Sequence, residues 1–410
     1  MVIQGIPQQI PIWWNLRRDD FPSGNIDGAE TQIVVLGGGL AGVTTALFLA
    51  ELGVGDVMLL EKGGIGEGAS GRNQGHVNPG NISIESVFRR YGQDALKSLL
   101  GFEYASVGLL EEVIERFSIQ CGFRRTGYVF LAEDEEQARL LRERQALLVS
   151  VGHPPELWDA RQCEARGFPD FAGGLFKPEA GQVHPVRLLL GLARAAQDLG
   201  VQIRARTEVY DVVPQNGGFV VRTGKGRVRA RIVVHATNKP YLLGGAATAL
   251  KVGFLPIRGQ IVVFSGQTAQ EVGFGTVDGL VYGLRRRQEL LLGGMRSVSP
   301  SREEGEEDDT AVNSAISMAL QTYAQQRLNV LESQPYSHEW AGIMQESPDG
   351  FPFVGRVALV GNQYVICGFG GHGLPGIPGA ARALAQMIAG QEVELPRLFA
   401  PRLDRFTRSV

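Results

Sequence analysis

Three glycines have the most evident chemical purpose in this chain. Gly37, Gly39 and Gly42 stand at G-x-G-x-x-G spacing within TQIVVLGGGLAGVTTALFLAEL, which begins at Thr31. In that pattern the first glycine permits a tight turn and the second lets the backbone approach a pyrophosphate. The third lets the following helix lie close to the strand before it. Leu40 and Ala41 open that helix, where backbone amides and the helix dipole face an anion. Glu61 follows about twenty residues after the last motif glycine, where an acid can bind ribose hydroxyls. The chemistry implied is dinucleotide binding.

The flanking elements agree with it. Ile33, Val34, Val35 and Leu36 form a short β-branched apolar run that suits a strand buried on both faces. Leu40 to Leu52 continues as helix, and Val57 to Leu60 as a second strand ending at Glu61. A membrane span is the rival reading of the nearly uncharged residues 33–52. Three glycines at its start, and no second apolar run of that length, favour strand, turn and helix.

The chain has 410 residues, more than one hydrophobic core usually serves, so two domains are expected. A net charge of -3 without a basic stripe speaks against a nucleic-acid partner. Cys121, Cys163 and Cys367 are odd in number and lack metal-ligand spacing, which points to a reducing compartment. The start, MVIQGIPQQIPIWW, has no basic region followed by an apolar core and cleavage site. A cytoplasmic protein is expected.

After Glu61 comes KGGIGEGASGRNQGHVNPG, residues 62–80. A stretch this long without hydrophobic period is either mobile or wrapped on a ligand, and its place after the ribose-binding acid favours the ligand. GGGLAG, LLEK and GASGRNQGH together resemble the FAD-dependent amine and D-amino-acid oxidase superfamily. The resemblance extends to the subgroup containing γ-glutamylputrescine oxidase-like and glycine or sarcosine oxidase-like enzymes. Two later segments carry the same likeness: EWAGIMQESPDGFPFVG from Glu339, and YVICGFGGHGLPGIPG from Tyr364. The likeness covers nearly the whole chain from residue 31.

The resemblance implies an α/β fold: a Rossmann-type FAD-binding domain with a discontinuous substrate domain on a mostly antiparallel sheet. The expected division is 31–86, 181–245 and 342–395 for FAD, and 87–180 and 246–341 for substrate. Residues 1–30 are expected to form an arm packed on the surface by Trp13 and Trp14, and 396–410 a tail. It implies flavin contacts from Lys62, Ala69, Ser70, Gly71, Arg72, Asn73, Gly75 and His76. Val209, Ala236 and Thr237 are expected beneath the dinucleotide. Gly342, Gly370, Gly371, Gly373 and Leu374 are expected near the flavin ring. A helix from Ala380 to Ile388 is expected to turn its positive end toward the pyrimidine ring.

Some relatives attach flavin through a loop histidine or through a cysteine after the tryptophan. The matching positions are Asn73 and Gly342, so non-covalent FAD is implied. Hydride transfer from a C–H next to nitrogen needs no side-chain acceptor, which accords with the lack of a triad or metal cluster. The implied partners are a small amine or amino acid, and oxygen or another electron acceptor. Arg285 matches the place where relatives set a lysine that helps oxygen react. His372 either sits over the flavin or orients the glycine loop. Relatives that take α-amino acids hold the carboxylate with a lysine where this chain has Leu374 and Pro375. That difference leans toward an amine without an adjacent carboxylate, with Arg258, Arg285 and Arg287 as possible anchors. The rival readings are a flavoprotein acting on a modified nucleoside, a non-catalytic dinucleotide binder, and a nicotinamide dehydrogenase. Six acids within residues 303–309 form either a docking site for a basic partner or a solvated loop.

Overall fold

The computed structural model describes residues 7–15, 21–81, 83–239, 253–266, 270–357 and 361–401. Parts of the expected arm and tail, and the expected domain junction at 245–246, lie outside them.

The strand Ala29–Leu36 is the centre of an eight-stranded sheet. It pairs in parallel with Val57–Leu60 on one side and Gly226–His235 on the other. Gln202–Arg204 extends the sheet past Val57–Leu60, and Gln363–Cys367 extends it past His235. Alternate residues of the first strand enter different cores. Ile33 and Val35 face the helices Leu40–Glu51, Pro185–Asp198 and Gly373–Ile388, whereas Val34 and Leu36 face a layer built on Val212, Phe219 and Val221. Burial on both faces is what its unbroken apolar run required.

A second eight-stranded sheet has the order His338–Glu346, Leu255–Ser265, Glu289–Gly294, Val281–Arg286, Val272–Thr276, Tyr128–Ala132, Gly173–Lys177, Glu156–Asp159. Its neighbours are antiparallel except for the parallel pair Val272–Thr276 and Tyr128–Ala132. The helix Ser314–Arg327 covers one face through Ile316, Leu320 and Ala324. Val129 and Leu131 point to that helix, so Tyr128 and Phe130 point the opposite way.

Residues 153–181, polar and without clear periodicity, contain two strands of this sheet and the helix Ala160–Ala165. The region 252–296 holds four strands, among them Val272–Thr276, whose sequence VGFGT is too glycine-rich to signal a strand. The C-terminal helix begins at Gly373, seven residues before the expected Ala380, with Pro375 in its first turn and Pro378 inside. Proline disfavours helix interiors, but packing on the helix Ile84–Arg116 overrides it here: the Ser106 hydroxyl accepts from the Gly379 amide at 2.8 Å. In the N-terminal segment Trp13 is buried in the main core and Trp14 packs against it.

Candidate functional site

The turn after the first strand is set by contacts only glycine permits. Gly37 has φ +107°, and a Cβ there would sit 2.6 Å from the Ala236 carbonyl oxygen. A Cβ on Gly42 would lie 2.0 Å from the Gly37 carbonyl oxygen, so the helix can approach the strand only without one. At Gly39 the sole nearby atoms belong to Ser70, the nearest being its hydroxyl at 3.0 Å. The rest of that space opens into a cavity of about 1090 Å³.

This cavity is larger than the usual range for one small ligand, and it runs from the first sheet to the second. At one end lie Gly37, Gly39, Leu40, Ala41, Glu61, Lys62, Val209, Ala236 and Thr237. The Glu61 carboxylate accepts from the Gly38 amide at 2.5 Å and the Gly63 amide at 2.8 Å, which fixes it beside the turn. Ala69, Ser70, Arg72, Asn73 and His76 form a side wall, and Gly342, Gly370, Gly371, His372, Gly373 and Leu374 face the middle. At the far end the wall is Tyr128, Phe130, Tyr282, Arg296 and Met344, from the second sheet and its following turn.

Four expected site residues are not in the cavity wall. Gly42, Gly71 and Gly75 act through the backbone: a Cβ would meet the carbonyl oxygen of Gly37, Gly66 or Val183 at 2.0, 1.9 or 2.1 Å respectively. Arg285 is a correction of substance. Its side chain points to the helix-covered face, donating to the carbonyls of Gly167 at 2.7 Å and Arg166 at 3.3 Å, with its guanidinium 4.0 Å from the Phe168 ring centroid. Burial pulls its pKa down to about 10, still protonated at neutral pH. Alternation along the strand decides this: Tyr282 faces the cavity, so Arg285, three residues on, faces away. Arg285→Met is expected to lower stability by about 2 to 4 kcal/mol, since two carbonyls lose a charged donor, and to leave flavin reduction by substrate unchanged in stopped flow.

Arg258 is also engaged, with Glu303 at 2.6 Å and Glu306 at 3.9 Å. Arg287 is exposed on a turn. The acidic stretch is a strap tied within the chain: besides those pairs, Glu307 binds Lys239 and Asp309 binds Arg72 at 3.2 Å. The sequence reading missed Tyr128, Tyr282 and Arg296. A signal for the tyrosines existed in glycines inside strands: a Cβ on Gly275 would meet the Tyr128 hydroxyl at 2.4 Å, and one on Gly293 the Tyr282 ring at 2.6 Å.

The electrostatics of the wall are mild. Burial holds the His76 imidazole down at about pKa 4, and its Nε2 lies 2.7 Å from Gln74 Oε1. His372, at the start of the last helix, opens to the cavity and is also pushed below its ordinary value by the surrounding protein. Both are neutral at pH 7. Burial raises the phenols of Tyr128 and Tyr282, which stay protonated.

The family model described as FAD dependent oxidoreductase (DAO) matches residues 32–387. The chain belongs to that FAD-dependent oxidoreductase family. A Haemophilus influenzae protein named probable oxidoreductase OrdL is 29% identical over 93% of this chain and 89% of its own. Gamma-glutamylputrescine oxidoreductase of Escherichia coli is 29% identical over 88% of this chain and 84% of its own. The crystal structure of glycine oxidase from Geobacillus kaustophilus has the same fold, with a TM-score of 0.79 at 24% identity over 92% of this chain and 99% of that one. The cavity fits the family's cofactor. The helices Leu40–Glu51 and Gly373–Ile388 both open on it, and neither has a side-chain cap from its N-cap residue. Two such ends offer backbone donors and positive potential to an anion and to an electron-rich ring. The Ser70 hydroxyl, 2.9 Å from the Leu40 amide, is the side chain at the first of them.

Among the described residues no helix is long and apolar enough to cross a membrane, and no group of three or more metal-ligating side chains exists.

Proposed function

We propose that this protein oxidises the C–N bond of a small amine or amino acid, with FAD held non-covalently between its two sheets. The observation that carries the reading is the single cavity joining the glycine turn and Glu61 to the aromatic wall of the second sheet. Relatives named for glycine, dimethylglycine and γ-glutamylputrescine give the substrate class. Bound FAD supplies the hydride acceptor that no common side chain provides. The protein contributes position and an environment poor in water. Tyr128, Phe130, Tyr282 and Met344 enclose the amine end of the substrate; His76 and His372 are neutral, and the substrate ammonium releases its proton to solvent on entering this apolar wall, where burial favours the uncharged amine. The imine released then hydrolyses in water to a carbonyl compound and an amine or ammonia, and the electrons pass on to oxygen or another acceptor.

Non-covalent binding is supported by the side chains that could attach flavin. His76 Nε2 is held by Gln74, and Cys367, the one thiol in the wall, is buried within a strand. No disulfide joins the three buried cysteines, which suits a reducing cytoplasm.

Arg296 supplies the positive charge absent from Leu374 and Pro375. It lines the cavity near Tyr282, and no described residue forms an ion pair with it. A guanidinium with a phenol beside it suits a carboxylate on the substrate.

The test is an anaerobic absorption spectrum recorded during addition of amines and amino acids. Bleaching of the oxidised flavin bands by one class identifies substrate, and the rate at which colour returns in air separates oxidase from dehydrogenase. A yellow protein that nothing in the panel bleaches overturns the substrate class. Arg296→Met is expected to raise Kd for carboxylate-bearing amines about 10- to 100-fold, the worth of a charged hydrogen bond, and to leave carboxylate-free amines unaffected.

A further inference from the structure

The segment ahead of the first strand lies outside the family match, which begins at residue 32, yet it reaches the wall of the cofactor cavity from behind. Gln8 exchanges backbone hydrogen bonds with the edge of the second sheet: its amide donates to the Ser337 carbonyl at 3.0 Å, and its carbonyl accepts from the Glu339 amide at 2.9 Å. The chain then turns through the short helix Ile12–Asn15 and inserts Trp13, which is only 2% exposed. Its ring packs against His184 at 4.8 Å between centroids and under the Arg286 guanidinium at 4.9 Å. Its indole N–H donates to the Asn73 carbonyl at 2.8 Å.

Asn73 belongs to the loop expected to wrap the flavin, and its own side chain braces that loop. The Asn73 amide nitrogen donates to the carbonyls of Ala69 and Ser70, and its oxygen accepts from the Gly75 amide. One residue earlier, the Arg72 carbonyl is held by a second indole, that of Trp340, also at 2.8 Å. Adjacent peptide carbonyls of the cavity wall are thus pinned from opposite parts of the chain by two tryptophans. Arg72 and Asn73 line the cavity, whereas Trp13 does not touch it.

We propose that Trp13 is a positioning residue for FAD: through its indole N–H it holds the loop of residues 69–76 in the shape that receives the cofactor. The loop has little apolar surface of its own to fix it, so its geometry depends on such anchors. Holding it in advance removes an ordering cost from cofactor binding. Reciprocity then requires bound FAD to tighten the Trp13 contact by the same factor. The proposal rests on the non-covalent reading given above.

That reading is checked first, by acid precipitation: flavin in the supernatant supports it, and flavin retained in the pellet overturns it together with reversible coupling. Full-length wild type and Trp13→Phe are then stripped of flavin and titrated with FAD, following flavin fluorescence. Phenylalanine keeps an aromatic ring in the core but has no N–H to donate. The expected result is a Kd about tenfold higher, the worth of one hydrogen bond to a buried carbonyl, in an apoprotein that still unfolds cooperatively with a modestly lower melting temperature. An unchanged Kd with a lower apoprotein melting temperature means that Trp13 only packs the core, and overturns the proposal. A second measurement on wild type holds even where the variant does not fold. With 15N-labelled tryptophan, the four indole N–H signals are compared with and without FAD. Hydrogen exchange of the Trp13 indole is expected to slow about tenfold on FAD binding, by the same coupling; equal rates in the two states overturn the proposal.

Discussion

Gly39→Val is expected to give a folded but colourless protein, whereas Gly42→Ala, the smaller change, is expected to damage the fold itself. The backbone at Gly39 is extended, with φ -80° and ψ 179°, a conformation valine adopts without strain. The new side chain meets only the Ser70 side chain and otherwise enters the cavity at the open end of the first helix. It would occupy the place where a pyrophosphate receives the helix amides. An affinity loss of at least about 100-fold is expected, because both the donors and the space are removed. At Gly42 the added methyl carbon would lie 2.0 Å from the Gly37 carbonyl oxygen and 3.3 Å from Ala236 Cβ. Backbone cannot yield as a side-chain tip can, so the helix must shift away from the strand at a cost of about 1 to 3 kcal/mol or more. Thermal unfolding by circular dichroism, together with flavin absorbance after addition of FAD, checks both variants. A yellow, fully loaded Gly39→Val protein would show that the turn does not receive the pyrophosphate.

Lys177→Met is expected to be strongly destabilising. Lys177 is 2% exposed, and its ammonium donates to Asn78 Oδ1 at 2.7 Å and to the Pro79 carbonyl. From the other side of that loop the buried Glu103 carboxylate accepts from the Gly80 amide at 2.5 Å. Burial moves both groups toward neutrality: Lys177 falls to about 7 and Glu103 rises to about 7, each opposed by the charge of the other. Methionine fills most of the lysine's volume, removes the donors and leaves Glu103 buried without its cation. Leaving the buried Asn78 and Pro79 oxygens without their donor costs about 2 to 4 kcal/mol. Changing Glu103 to Gln as well keeps an acceptor for Gly80 and removes the unpaired charge. The double variant is therefore expected to recover at least about 1 kcal/mol relative to Lys177→Met alone. Denaturant unfolding of the two single variants, the double variant and wild type measures the coupling. Strict additivity would mean that the two charges hold the loop independently.

The strap at residues 303–309 illustrates how a composition signal changes meaning in three dimensions. Six acids in a short stretch read as a surface for a basic partner or as solvated polar chain. In the fold, Arg258, Lys239 and Arg72 come from three separate regions and neutralise four of these acids within the molecule. The cations lie 45 to 237 residues away along the chain, and no local pattern links them to the strap.

The glycine turn and its flanking elements were legible because their chemistry is local. A turn that needs positive φ, a helix that must approach a strand and an acid one strand later all fall within residues 31–61. There each residue type is dictated by its immediate neighbours, as Gly37 and Gly42 show. The flavin-loop motif was equally readable as a string of residues, although which of them face the cavity and which only pack against backbone was not. The second sheet is different. Whether Tyr282 or Arg285 faces the cavity depends on which side of the second sheet the helix Ser314–Arg327 covers, and that is set by packing between segments far apart in sequence. The glycines and prolines of residues 373–379 likewise oppose helix formation locally, and only their burial against Ser106 and its helix makes them helical. By itself the sequence determined the cofactor class and the dinucleotide turn, because those rest on backbone sterics within a few residues. The tertiary structure alone decided that Arg296 lines the cavity and that Trp13 bonds to the loop of residues 69–76, because both depend on the relative placement of distant surfaces.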